Sequence, residues 1–169
     1  MNTELLSVVD KNDQVIDTQP RDIIHNSELM HRAVHILIFN SRKELFLQKR
    51  SMKKDLNKGL WDTSAAGHVD AGEQYLHAAI RETEEELGID INNTILPLFK
   101  LSPTKQLGME FIWVYQCIND EPLTLNADEI ETGDWLTVKE ISKRVLNNDL
   151  TMTGTFKVIW QEYCKKLSH

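Results

Sequence analysis

Gly67-His68-Val69-Asp70-Ala71-Gly72-Glu73, separated by seven residues from Arg81-Glu82-Thr83-Glu84-Glu85-Glu86-Leu87-Gly88-Ile89, is the stretch that decides the reading of this chain. Apolar and polar residues alternate with a helical period from Glu73 to Leu87. At about 100° per residue, Leu76, Ile80, Thr83 and Leu87 fall on one stripe, the expected buried face. Glu82, Glu85 and Glu86 stand at i, i+3 and i+4 and cluster on a second face, with Ala78 and Ala79 one turn earlier as a small-residue shelf. Like charges at this spacing destabilise a solvated helix by about 0.2–0.5 kcal/mol per pair, and by more once desolvated. Stability therefore does not account for them, whereas a bound cation does. All-oxygen ligation without thiols suits a hard ion, Mg2+ or Mn2+, that keeps waters and meets substrate phosphates. The alternative reading of a glutamate-rich run is a solvated acidic helix face.

This spacing resembles the Nudix box, G-x5-E-x7-R-E-U-x-E-E-x-G-U with U apolar. Every fixed position is filled, and of the two apolar positions only Thr83 departs. The resemblance implies an α/β fold, a Nudix-type α/β/α sandwich with a mixed sheet and the box helix at the active site. It also implies hydrolysis of the diphosphate linkage in a nucleoside-diphosphate derivative or other substituted diphosphate. In that picture Glu82, Glu85 and Glu86 hold the metal, Arg81 orients a ligand carboxylate and Glu73 supports the ligand set. Backbone carbonyls of Ala66 and Gly67 complete the coordination.

The 169 residues, 41% hydrophobic and 27% charged, suffice for one domain with a proper core, expected to span 1–169 with an N-terminal hairpin. No repeat, low-complexity stretch, signal peptide or membrane span is legible. Cys117 and Cys164 lack both metal-ligand spacing and disulfide-scaffold density, so both read as core residues of a protein in a reducing cytoplasm. A formal net charge of −7 argues against nonspecific binding to nucleic acid or anionic membrane. The expected partner is a small-molecule diphosphate, with assembly left open to a homodimer. Local cations are needed to meet such a substrate. Lys49, Arg50, Lys53, Lys54 and Lys58 form a basic cluster ahead of Gly67, with Arg50 and Lys54 the substrate-binding candidates; a solvated basic loop is the equal alternative.

Along the chain, Leu6–Asp10 and Gln14–Asp17 read as a hairpin around Lys11-Asn12-Asp13, followed by a short turn opened by Pro20. His31 to Asn40 and Glu44 to Arg50 read as central strands, and Phe111 to Tyr115 as a strand buried on both faces. Thr137-Val138-Lys139-Glu140 has capping-box spacing and opens a helix with Ile141, Val145 and Leu146 inward. Phe156, Ile159, Trp160, Tyr163, Cys164 and Leu167 mark the apolar face of a final helix. Helices in the middle and at the end imply a sheet covered on both faces.

From His25 to Gly67 the chain also looks like the isopentenyl-diphosphate isomerase subgroup of Nudix-fold enzymes, which makes isomerase the rival function. Those enzymes bind a metal through histidines and glutamates, and His25, His31, His68 and Glu110 fall near the matching positions. They also use a cysteine two residues before the matching histidine, where this chain has Ala66, and they disrupt the box carboxylates that this chain keeps. Both departures favour a hydrolase. His25 and His31 are six residues apart rather than the isomerase's seven, so ordinary core or surface histidines are the expectation. Glu85 or Glu86 within the box, or Glu110, Glu129 or Glu131 outside it, offer a general base, with Glu110 preferred because it opens a buried strand. A third function, a diphosphate-metabolite sensor, would be expected to lose ligand glutamates or to carry a DNA-binding segment, and this chain shows neither.

Overall fold

A computed structural model describes residues 3–168. The elements run β1 (Leu5–Val9), β2 (Val15–Pro20), α1 (Arg21–Asn26), β3 (His31–Phe39), β4 (Glu44–Arg50), β5 (Trp61–Asp62), β6 (Ala65–His68), α2 (Tyr75–Leu87), β7 (Leu96–Leu101), β8 (Glu110–Ile118), β9 (Ile130–Thr137), α3 (Val138–Leu146) and α4 (Gly154–Leu167). Seven strands form one mixed sheet, and β1 and β2 pair separately as the expected hairpin. One face of the sheet packs under α3 and α4 through Leu37, Leu45, Leu47, Ile112, Ile141, Phe156 and Trp160. The other packs under α2 through Val34, Ile36, Ile38, Phe46, Ala65, Ala78 and Ala79. The sandwich expected from the sequence is present.

The sheet is split, and the split makes the site. β3 and β4 share only the pair Phe39 and Leu45 before diverging. Into the gap go β5, paired with β4 through Gln48 and Asp62, and β6, paired with β3 from Ala33/His68 to Ile36/Ala65. Parting strands leave backbone groups without ladder partners, which is costly when buried. Ser64, fully buried, repairs the gap: its hydroxyl accepts from the Ile38 amide at 2.8 Å and donates to the Phe46 carbonyl at 2.5 Å. On the far edge of β3, β8 runs parallel in full register, from His31/Glu110 to Phe39/Ile118.

The hairpin is held in two places. Leu6, Val8 and Ile24 make a small core of their own with Leu29 against them. Asp13, at φ 60°, receives Arg32, the Tyr75 hydroxyl and Lys100, so that one carboxylate ties the hairpin turn to β3, α2 and β7.

Several local expectations need correcting. The turn at Pro20 opens a helix, α1, which brings His25 inward. On α2 the buried stripe is rotated: Ala78 and Ala79 are fully buried while Leu76 is exposed. Two methyl side chains let the helix lie close on β6, and Thr83 fits the apolar stripe because its hydroxyl bonds the Ala79 carbonyl at 2.8 Å. The capping box at Thr137 forms as expected. Leu146 nevertheless faces solvent at 86% exposure, because it lies about 140° round α3 from Ile141. Leu167 is likewise exposed, one turn beyond the end of the core, and Cys164 is only partly covered.

Candidate active site

Gly67 is a steric requirement of the site. A Cβ built there would lie 2.1–2.5 Å from the Glu82 carboxylate, so only glycine lets that side chain cross β6. Glu86, one turn on, is 3% exposed and accepts a hydrogen bond from Gln48 Nε2 at 2.9 Å, from the strand beside the split. Gln48 also donates to the Ser64 carbonyl, so the residue that repairs the gap and the residue that holds Glu86 are linked. Burial pushes the Glu82 carboxyl up to about 7 and Glu86 well above the usual range, with each raised further by neighbouring carboxylates. Glu85 sits at the mouth, more than half exposed.

Arg81 organises these groups. Its guanidinium forks onto Glu73 at 2.8 and 2.9 Å, meets Glu82 at 2.8 Å and Glu85 at 3.3 Å, and donates to the His68 carbonyl at 3.1 Å. Glu73 in turn accepts from the Asp70 amide. The structure thus brings together Gly67, Glu73, Arg81, Glu82, Glu85 and Glu86. α2 ends at Gly88, whose left-handed φ of 68° closes the helix on the Glu84 carbonyl.

The histidines are not the ordinary residues the spacing suggested. His25, His31 and His68 have ring centroids 5.1–5.3 Å apart, and one ligand atom from each, with one from Glu110, lie within 4.8 Å of one another. Register explains the assembly: β8 sets Glu110 beside His31, β6 sets His68 beside Ala33, and α1 supplies His25. The spacing of six was uninformative because it crosses a helix end. His31 donates from Nδ1 to the Leu29 carbonyl at 2.8 Å, which leaves the lone pair on Nε2. That atom is fully buried and without a hydrogen bond, although Glu110 lies 3.4 Å away. His68 stands between Glu110 at 3.3 Å and Glu4 at 3.5 Å, and these carboxylates raise it to about 9 against the effect of burial. Burial and the surrounding cations push His25 down to about 4, while the two histidines hold Glu110 well below the carboxylate range despite its burial. An orphaned imidazole nitrogen among such donors fits a metal ion.

Both clusters open on one cleft of about 870 Å³. Arg50, Lys53 and Lys54 line it, as does Arg21 of α1, which the sequence reading missed. These cations are partly committed: Lys54 pairs with Glu129, Lys53 with Asp128, and Arg50 donates to the Leu56 carbonyl. Glu129 lines the cleft near Glu86, whereas Glu131 pairs with Lys49. Glu4, Gln48 and Asp62 were also missed, and nothing in their local sequence marks them.

A mixed sheet between two helical layers, with a carboxylate helix crossing a glycine and held by an arginine, defines a class of enzyme that comparison then names. The NUDIX domain family matches residues 29–153. An isopentenyl-diphosphate Delta-isomerase of Photorhabdus laumondii is 32% identical over 165 residues, covering 94% of each chain. An uncharacterised Nudix hydrolase of Pseudomonas aeruginosa is 38% identical over 139 residues, 80% of this chain and 79% of the relative. The crystal structure of DR0079 from Deinococcus radiodurans superposes with a TM-score of 0.82 at 28% identity, over 94% of this chain and 98% of that one. The chain belongs to the Nudix family as a Nudix-type hydrolase, a family whose enzymes generally use divalent metals.

The buried carboxylates predict a pH dependence in metal-free protein. Between the ordinary 4.5 and about 7, folded Glu82 keeps a proton that the unfolded chain has released, so this group costs stability as pH rises through that window. Glu82→Gln removes the cost. In chelator-treated samples its Tm, relative to wild type, is expected to rise from pH 4.5 to 7; a constant difference across that range contradicts the burial of this charge.

Proposed function

We propose that the protein is a divalent-metal-dependent hydrolase that cleaves the diphosphate linkage of a nucleoside-diphosphate derivative or another substituted diphosphate. The observation that carries this reading is the dry pair Glu82 and Glu86, joined at the mouth by Glu85 and crossing Gly67 under the grip of Arg81. Two buried like charges are poorly placed in an empty protein and well placed around a cation. Glu82, Glu85, Glu86 and the Gly67 carbonyl are the proposed holders of Mg2+ or Mn2+. Such ions, when bound, polarise phosphoryl oxygens and lower the pKa of water. Arg81 and Glu73 keep the carboxylates in place, and Gln48 orients Glu86. Arg50 and Lys54, with Arg21 and Lys53, meet the substrate phosphates. Glu85 and Glu129 are the carboxylates left to accept the proton of the attacking water. Glu110, held ionised by two imidazoles, serves better as a ligand than as a base. The two cysteines, neither in a disulfide, support a reducing, cytoplasmic setting.

His25, His31, His68 and Glu110 are a second candidate ion site, whose imidazole content suits a transition metal. Isomerase-named relatives and this cluster together supply the case for isomerisation. Against it stands Ala66, on the cleft wall where a proton donor is needed, since a methyl group transfers no proton.

Glu86→Gln is expected to lower turnover by about 100-fold or more, the scale of lost metal or acid–base catalysis. Glu84→Gln, on the exposed side of the same helix, is expected to change it little. The assay is phosphate release from a diphosphate panel with Mg2+ or Mn2+, with and without added phosphatase. Equal activity of the two variants, or wild-type turnover of isopentenyl to dimethylallyl diphosphate, overturns the reading. For the second site, Co2+ titration is expected to give visible absorption bands that His31→Gln abolishes; unchanged bands in that variant exclude the cluster as the ligand set.

A further inference from the structure

His35 belongs to neither carboxylate nor histidine cluster, yet it lines the cleft. It lies on β3 on the same face as His31, four residues on, which is about 13 Å along a strand. Its neighbours across the ladder are Ala66 on β6 and Val114 on β8. Ala33 lies between the two histidines on that face, so alanines floor the space from one to the other.

The tautomer of this ring is fixed by its surroundings. Nδ1 is 2.8 Å from Thr63 Oγ1, which lies 3.2 Å from the Ala65 carbonyl as well; that carbonyl can only accept, so the one hydroxyl hydrogen of Thr63 satisfies it. The hydroxyl therefore accepts, and Nδ1 carries the hydrogen. Asp62, 3.9 Å from Nδ1, favours a proton on the same edge. The lone pair is left on Nε2, which has no hydrogen-bond partner among the described residues. The residue is 5% exposed, and what surface it keeps faces the cleft. Burial holds the ring below its ordinary pKa, the charges around it being Asp62, Glu110, Arg50 and His68.

We infer that His35 Nε2 accepts a hydrogen bond from an O–H or N–H on the group attached to the diphosphate, making this histidine a specificity-determining residue that selects polar substituents over prenyl chains. The inference rests on the hydrolase reading above and names the substrate class of that site. The rest of the cleft agrees: Lys105, Gln106 and Thr155 stand among its lining residues. A prenyl chain seated on the floor strips water from Nε2 and offers nothing in return, a penalty of about ten- to a hundredfold in affinity. A hydroxyl or amino group in the same place pairs with it.

The experiment has two arms. Long-range 1H–15N correlation on the wild-type protein at pH 7 is expected to show His35 neutral and protonated on Nδ1; an Nε2–H tautomer overturns the inference without reference to any substrate. Mg2+-dependent hydrolysis is then compared on UDP-glucose, ADP-ribose and reduced nicotinamide adenine dinucleotide against isopentenyl and geranyl diphosphates, for wild type, His35→Leu and His35→Gln. On the best of the polar compounds, His35→Leu is expected to lose about ten- to a hundredfold in kcat/KM, mostly through KM. His35→Gln, which keeps an acceptor near the Nε2 position, is expected to recover much of that loss. Preference of the wild type for a prenyl diphosphate, or His35→Leu within twofold of wild type on the best polar compound, overturns the inference and leaves the hydrolase standing. No metal-dependent hydrolysis of any compound overturns the hydrolase reading and, with it, this one.

Discussion

Two carboxylates on adjacent turns of α2 must be kept close together and dry, and much of the molecule is arranged around that constraint. Glu82 needs a strand with no side chain beneath it, which Gly67 provides. Glu86 needs a donor on the opposite wall, which Gln48 provides. Gln48 can approach only because β4 has parted from β3, and the parting is tolerated only because Ser64 takes over the orphaned backbone groups. Arg81 then sets a positive charge against Glu73, Glu82 and Glu85 together. A single guanidinium shared among several carboxylates offsets part of their repulsion while leaving them gathered on one side of the cleft.

The second cluster is built by different means. Its histidines come from a strand, a neighbouring strand and a helix outside the sheet, and its outer carboxylate, Glu4, comes from the chain just before β1. The hairpin is therefore part of the cleft wall as well as an appendage with a core of its own. Arg21, next to His25 in the same helix region, bridges Glu4 and Asp55 and so fastens the loop after β4 to the hairpin side. The two candidate sites meet at β6: the Gly67 backbone passes beneath Glu82, while the next residue, His68, gives its side chain to one cluster and its carbonyl to Arg81 of the other.

The fold class and the carboxylate helix were legible because their information is local. Helical period places Glu82, Glu85 and Glu86 on one side whatever the sheet does, and the Thr137 box names its own helix start. The mistakes came where the answer depends on a partner element. Ala78 and Ala79 look like a shelf for the carboxylates until the closeness of β6 turns them into the packing face. Leu146 looks like core until α3 is seen to turn its Ile141 and Val145 face to the sheet and carry Leu146, its last residue, round to solvent. His25, His31 and His68 have no informative spacing, since their meeting is fixed by strand register and by a helix the sequence disclosed only as a turn at Pro20. Glu4 and Gln48 could not have been found, because a glutamate before a strand and a glutamine within one are ordinary until the tertiary structure gives each a partner.

The parallel pairing of β3 with β8 has a kinetic consequence. It joins His31 to Glu110, almost half the chain apart, and a parallel ladder of such long loop closure forms slowly compared with the β1–β2 hairpin. The carboxylate helix draws on local contacts, but the Glu110 side of the histidine cluster exists only after this long-range closure. An ion bound there would contact a feature that depends on this closure, so its effect would fall mainly on the rate of unfolding and little on the rate of folding. An ion bound at the histidine cluster would thus act as a latch on the finished fold, whereas the glutamate helix depends on local contacts.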